Sequence, residues 1–264
     1  MGENMTYKYL LVEVKDRVVT ITLNRTEAGN AFHVPFAKEL FEVALEFSHN
    51  TNVNAVVIQG SGKAFSFGGD LKSFSEEGTK IDLNLKEVTT YLHNAISLFV
   101  RMKKVVIASV NGTAAGAGLS LLCSCDIVIS GASAKYTSAY TKVGLTPDGS
   151  CTYFLPRLIG LRKTQELLYT NRVLSSNEAA EWGIVTRVVD DSELRYITHE
   201  FAKEIAGGPT NAYAMTKKLL NNSFLDRLDS HMAMESDMIS EMTVTKDGKE
   251  GIAAFLEKRS PDFV

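Results

Sequence analysis

A chain of 264 residues, 45% hydrophobic and 22% charged, can bury a sizeable core, and that balance excludes a disordered or fibrous polymer. Its formal net charge of -3, with both signs interspersed, excludes the basic footprint that binding to nucleic-acid phosphates requires. No apolar run reaches the roughly 20 residues needed to cross a bilayer, "MGENMTYKYLLVEVKD" lacks the layout of a secretory signal and "PDFV" is no peroxisomal address, so a cytoplasmic protein is expected.

In chain order, "YLLVEVKDRVVTITLNR" reads as a hairpin whose second strand, Val18 to Leu23, breaks at Asn24. "VPFAKELFEVALEFSHN" places Phe36, Leu40, Phe41, Ala44, Leu45 and Phe47 at helical spacing, with charges on the other side. "AVVIQG", residues 55–60, reads as a buried strand, so strand, helix and strand form a right-handed crossover in a mainly parallel sheet. "VVIASVNG" and "DIVISG" are two further buried strands, and all three end at glycine. Ligands in such sheets gather beyond the carboxyl ends of the strands, which is where a site is expected.

The stretch "SEEGTKIDLNLKEVTTYLHNAISLFVRMKK" carries Leu85, Val88, Leu92, Ile96 and Phe99 at helical spacing, either as a pocket wall or as an ordinary core helix. From about residue 160 the character is helical: "LRKTQELLYTN", "SSNEAAEWG", "DSELRYITHEFAKEIAGG", "PTNAYAMTKKLLNNS" and the tail "KEGIAAFLEKRSPDFV". With no low-complexity linker and no repeat, the expected organisation is a spiral α/β core over residues 1–200 and a helical region over 201–264. Helices that cannot cover their apolar faces within so short a region pack on another subunit, so an oligomer is expected.

Cys123, Cys125 and Cys151 lack the paired spacing of a zinc site and read as reduced core thiols, so no metal is expected. His33, His49, His93, His199 and His231 show no ligand-like spacing and read as surface or packing residues.

Two glycine-rich stretches carry more. "GSGKAFSFGGDLKSF", residues 60–74, leaves a strand and opens a helix with Asp70 in its first turn, where a carboxylate caps free N–H groups. Gly68 and Gly69 remove Cβ atoms where a helix start presents unpaired N–H groups, a way to hold a developing oxyanion without a charged side chain. "VNGTAAGAGLSLLCSCD", residues 110–126, repeats the arrangement, with a helix beginning near Ala117. Neither stretch fits a dinucleotide or P-loop fingerprint. In "GLTPDGS", Asp148 satisfies β-turn preferences and is equally a candidate base, and the two roles are compatible.

On "KAFSFGGDL" followed by "VNGTAAGAGLSLLCSCDI", the chain resembles the crotonase superfamily of enoyl-CoA hydratases and isomerases, over nearly its whole length. The resemblance implies a spiral of ββα units with a C-terminal trimerisation region, an acyl-CoA thioester as substrate with no further cofactor, and a homotrimer or dimer of trimers. It implies that the N–H groups of Gly69 and Ala117 hold the thioester carbonyl. Glu27 and Ala28 would line the CoA groove, and Ala64, Ser66 and Phe67 would meet its adenine end. Gly68, Asp70, Leu71 and Gly116 complete the implied contact set, while Phe255 and Lys258 would reach CoA from a neighbouring subunit.

The two glutamates with which hydratases of the family handle water correspond here to Ser120 and Tyr140, neither a carboxylate base near neutral pH. Simple water addition is therefore disfavoured. Some isomerase branches carry their acid in the segment matching "GLTPDGS", which supplies Asp148. The expectation is an isomerase moving a double bond from the 3- to the 2-position of an acyl-CoA. The alternatives are ring-isomerising chemistry, weak hydration, or acyl-CoA binding without turnover.

Overall fold

The computed structural model describes residues 7–263; residues 1–6 of the opening stretch and Val264 of "PDFV" lie outside the described residues. β1 (Leu10–Lys15) and β2 (Val18–Leu23) form the expected hairpin. Asp16 and Arg17 both take positive φ at its turn, the twist that suits a two-residue connection. α1 (Val34–His49) then crosses to β3 (Ala55–Gly60), which pairs parallel to β2. Phe36, Leu40, Ala44 and Phe47 are buried as their spacing predicts, while Leu45 is exposed, because the core stripe runs through Ala37 and Val43 instead.

The chain next climbs in repeated units. Each places a strand in the large sheet, a three-residue strand in a second sheet, and then a helix. β3, β4 (Ala64–Ser66) and α2 (Leu71–Glu76) make one such unit, followed by the long α3 (Ile81–Arg101). β5 (Val105–Val110), β6 (Thr113–Ala115) and α4 (Ala117–Cys123) make the next. The third is β7 (Ile127–Gly131), β8 (Lys135–Thr137) and α5 (Cys151–Thr170). β9 (Leu174–Ser175), α6 (Ser176–Trp182) and β10 (Arg187–Val189) close the two sheets, whose strand orders are β1-β2-β3-β5-β7-β10 and β4-β6-β8-β9. The helix expected from residue 161 begins ten residues earlier and bends at Gly160, whose φ of 76° breaks it.

α7 (Leu194–Ala206), α8 (Thr210–Asn222), α9 (Leu228–Val244) and α10 (Lys246–Glu257) complete the chain. Val56 and Ile58 of β3 face the main core, whereas Ala55 and Val57 face Leu194, Ala202 and Ala206 of α7, so alternate residues serve the two faces of one strand. The expected division after residue 200 thus falls within α7, a helix that covers the sheet. α8 is pinned by Lys217, whose buried ammonium donates to Asp126 at 2.7 Å and to the carbonyls of Phe99 and Lys104. All three cysteines are free thiols; burial pushes the Cys151 thiol up to about 12.

Candidate active site

The two glycine stretches meet. Both leave the small sheet, one from β4 toward α2 and the other from β6 into α4, and β4 and β6 pair in parallel. Gly68 (φ 92°) and Gly116 (φ 52°) hold conformations that side chains rarely tolerate. A Cβ on Gly68 would stand 2.8 Å from the Ala115 carbonyl oxygen and 2.9 Å from the Ala117 nitrogen, so only a bare α-carbon lets the two loops touch. Among the described residues, the N–H groups of Gly69 and Ala117 meet no protein acceptor, and both residues line one cavity of about 480 Å³.

Loop 67–70 is braced from behind. Ser66 Oγ donates to the Asn30 carbonyl (2.7 Å) and accepts the Gly68 N–H (3.1 Å), and Asn30 Nδ2 donates to the carbonyls of Ser61, Ala64 and Phe65. Asp70 is the N-cap of α2 rather than a first-turn residue: Oδ1 accepts the Ser73 N–H at 3.1 Å, and Oδ2 lies 2.7 Å from Arg25 Nη2. Burial opposes ionisation of Asp70, but the Ser73 amide and the Arg25 guanidinium outweigh it and hold the carboxyl below its ordinary range.

Across the cavity lie Tyr140, Val143, Leu145 and Asp148, and Phe74, Leu85, Val88 and Leu92 wall it from α2 and α3. α3 therefore does both jobs left open by its sequence, since Ile96 and Phe99 farther along pack in the core. Asp148 is both turn and acid: its carbonyl accepts the Cys151 N–H, and the residue lines the cavity. Tyr140 OH donates to Asp148 Oδ1 at 2.5 Å. Ser120 Oγ lies 2.9 Å from the phenol oxygen and donates to the Asp148 carbonyl at 2.8 Å. Burial first, then the Asp148 charge, pushes the Tyr140 phenol far up, which keeps it a donor.

His93, expected to be a surface or packing residue, belongs here: its Nε2 lies 3.2 Å from Asp148 Oδ2 and accepts the Gly149 N–H at 3.1 Å. The signal available was a polar stripe on α3, in which Asp82, Lys86 and Thr89 line the cavity and His93 continues the series at helical spacing.

Of the residues expected to meet acyl-CoA, Phe67, Gly69, Leu71, Gly116, Ala117 and Asp148 line the cavity. Gly68 packs just behind, against Ala117. Ala64 and Ser66 are buried, with the Ala64 carbonyl and the Ser66 hydroxyl bonded to Asn30. Glu27 and Ala28 lie in a turn over residues 26–28, beside the Gly29 carbonyl that accepts the Phe67 N–H. Phe255, 83% exposed on α10, and Lys258, its C-cap, stand apart from the cavity within this chain.

Layered ββα units with two glycine turns facing one apolar cavity define an α/β enzyme of the crotonase type. The chain belongs to the enoyl-CoA hydratase/isomerase family, whose model matches residues 13–264. It is 33% identical over 258 residues to a 1,2-epoxyphenylacetyl-CoA isomerase of Escherichia coli, covering 97% of this chain and 98% of that one. To a short-chain-enoyl-CoA hydratase of Clostridium acetobutylicum it is 32% identical over 260 residues, covering 97% of each. A crystal structure of an enoyl-CoA hydratase from Polaromonas superposes with a TM-score of 0.92 at 29% identity, covering 97% of this chain and 99% of that one. Among the described residues, no helix is long and apolar enough to cross a membrane.

Proposed function

We propose that this enzyme moves a double bond in an acyl-CoA, converting 3-enoyl to 2-enoyl thioesters. The observation that carries the reading is the Asp148 carboxylate, hydrogen-bonded by Tyr140 at the cavity that also receives the Gly69 and Ala117 amides and has Asp82 as a second carboxylate on its α3 wall. Asp148 takes a proton from C2 of the substrate, and the C–H electron pair enters a thioester dienolate whose oxygen rests on the two amides. The acid then returns a proton to C4, and the electron pair moves back from the enolate oxygen to leave the double bond between C2 and C3. Each amide donor contributes on the order of 10²- to 10³-fold in rate. The reaction as written needs no metal or redox group.

Ser120 and Tyr140 support isomerisation over hydration, because both are spent on holding Asp148 and neither offers a second carboxylate for water. A second reading, ring isomerisation of an aromatic-derived acyl-CoA, draws on the likeness to the epoxyphenylacetyl-CoA isomerase and on the apolar cavity wall.

Assembly into trimers or pairs of trimers is part of the proposal. Leu228, Met232, Ile239, Val244, Ile252 and Phe255 leave α9 and α10 with broad exposed apolar surface, and packing there would bring Phe255 and Lys258 to a neighbour's CoA.

Incubation with 3-enoyl-CoA and 2-enoyl-CoA thioesters tests the reaction. The expected result is isomerisation without net hydration, lowered about 10²- to 10⁴-fold by Asp148→Asn. Equal activity in the Asn variant removes Asp148 from the mechanism, and CoA binding without product leaves a non-catalytic member of the family.

A further inference from the structure

We infer that His93 is a positioning residue that exchanges the proton carried by Asp148 with solvent, through a second cleft on the far side of the carboxylate. The inference rests on the isomerase reading above and adds to it the route by which the shuttled proton leaves.

The geometry contains a conflict that only a proton resolves. Nε2 of His93 faces two partners, the Gly149 N–H at 3.1 Å and Asp148 Oδ2 at 3.2 Å. One ring nitrogen holds either a lone pair or a hydrogen. With the lone pair it accepts from Gly149, and Oδ2 satisfies it as well only when the acid is protonated. With the hydrogen it donates to the ionised carboxylate and releases the Gly149 amide. The two protonation states of Asp148 thus match the two states of His93.

The oxygens of Asp148 are divided between these partners. Tyr140 holds Oδ1, and its phenol keeps its proton, so the Oδ2 side is where a proton can be passed on. The Asp148 side chain is 26% exposed and the residue lines the main cavity, while His93 is 49% exposed and lines a different cleft with Ile96, Ser97, Arg101, Tyr153 and Phe154. The titratable or charged groups at the ring or in its cleft are Asp148, with Tyr140 behind it, Tyr153 from α5 and Arg101 from its own helix. The carboxylate therefore sits between substrate and an imidazole that is open to water.

In the step itself, Asp148 gains one proton from C2 and Oδ2–H passes it to Nε2, leaving a carboxylate beside an imidazolium. The half-exposed imidazolium trades its N–H proton with water and returns one proton to Oδ2, and that proton goes to C4. Protons and charge balance at each stage, and the hydrogen added at C4 comes from solvent.

Isomerisation in D₂O by two variants tests this. Glutamine can accept from Gly149 and donate to Oδ2 but cannot carry a proton, so the product of H93Q, read per turnover, should carry severalfold less deuterium at C4 than the wild-type product. H93L loses both hydrogen bonds, and its kcat should fall about tenfold or more. Wild-type deuterium content in H93Q, or no solvent hydrogen in the wild-type product, overturns the inference. A nitrogen-15 spectrum of the unliganded protein separates its failure from failure of the isomerase reading. The Gly149 amide resonance should move in H93L and in Asp148→Asn, as its bond to the ring is broken or rebalanced. A Gly149 amide that responds to neither variant leaves no dyad, whatever the enzyme does to enoyl thioesters.

Discussion

The amide side and the acid side of the cavity are made from different material. Gly69 and Ala117 present main chain, fixed by two turns that touch through glycine α-carbons and start two helices. Asp148 presents a side chain, held by Tyr140 and His93, with Ser120 bonded to its main-chain carbonyl, from three other segments. Main-chain donors that are fixed before reaction stabilise developing charge with little reorganisation. A proton carrier, in contrast, must change its hydrogen-bond partners as it gains and loses its proton. The rigid half therefore depends on sterics and the adaptable half on hydrogen bonding, and the two should fail in different ways.

The largest effect is expected where the rigid half is forced open. Gly68→Ala puts a methyl 2.9 Å from the Ala117 nitrogen and 2.8 Å from the Ala115 oxygen, at a φ of 92°. Backbone must shift to admit it. The strain should cost about 1–3 kcal/mol of stability, and displacement of one amide should lower kcat about 10²- to 10³-fold. Urea unfolding and steady-state kinetics on the same preparation check both numbers. Retention of full activity would show that the contact between the turns does not place the amide.

On the adaptable half, Tyr140→Phe removes the phenol proton from Oδ1 and leaves the ring volume in place. A hydrogen bond to a charged group is worth about 1.5–3 kcal/mol, so loss of orientation should lower kcat about tenfold or more with the fold intact. A kcat that does not fall would show that the phenol does not fix the geometry of the acid, and would reverse the role given to Tyr140.

The same contrast decides what the sequence discloses. A glycine pair between a strand and a helix is a local signal, so "SFGGDL" and "TAAGAG" mark the amide side within a few residues. The resemblance then implies which two amides would donate. The acid side is assembled across the chain: Tyr140 is 8 residues from Asp148, Ser120 is 28 and His93 is 55. Asp148 itself was visible because its turn chemistry is local, but its partners were not. Ser120 and Tyr140 stood out only as replacements for carboxylates, with no indication that they bind the acid. Nothing in the sequence marks the small sheet, because strands of two or three residues are too short to show alternation. α9 is hard to read because its apolar residues, Leu228, Met232, Met234, Met238 and Ile239 among them, are spread around the helix instead of gathered on one face.

The smallest effect is expected behind the amide side, at Asp70. Asn caps a helix about as well as Asp, so Asp70→Asn should keep the start of α2 and lose mainly the ion pair with Arg25, which is 2.7 Å long and mostly buried. Arg25 also donates to the Ala31 carbonyl, so the pair ties the turn after β2 to the glycine turn that carries Gly69. A stability loss of about 1–2 kcal/mol is expected at pH 7. Its pH dependence follows from the direction of the shift: the folded carboxyl is held below its ordinary value. The contribution is fully present above the unfolded value of about 3.9 and is lost as pH falls through the lower folded value. Urea midpoints of wild type and variant should therefore differ by a constant amount from pH 7 to about 5, and converge as the pH drops below about 4. A gap that stays constant through that range would mean that the charge of Asp70 contributes nothing and the glycine turn is held by packing alone. If kcat falls more than about tenfold in this variant while the stability gap is small, the amide side is less rigid than its glycine packing implies.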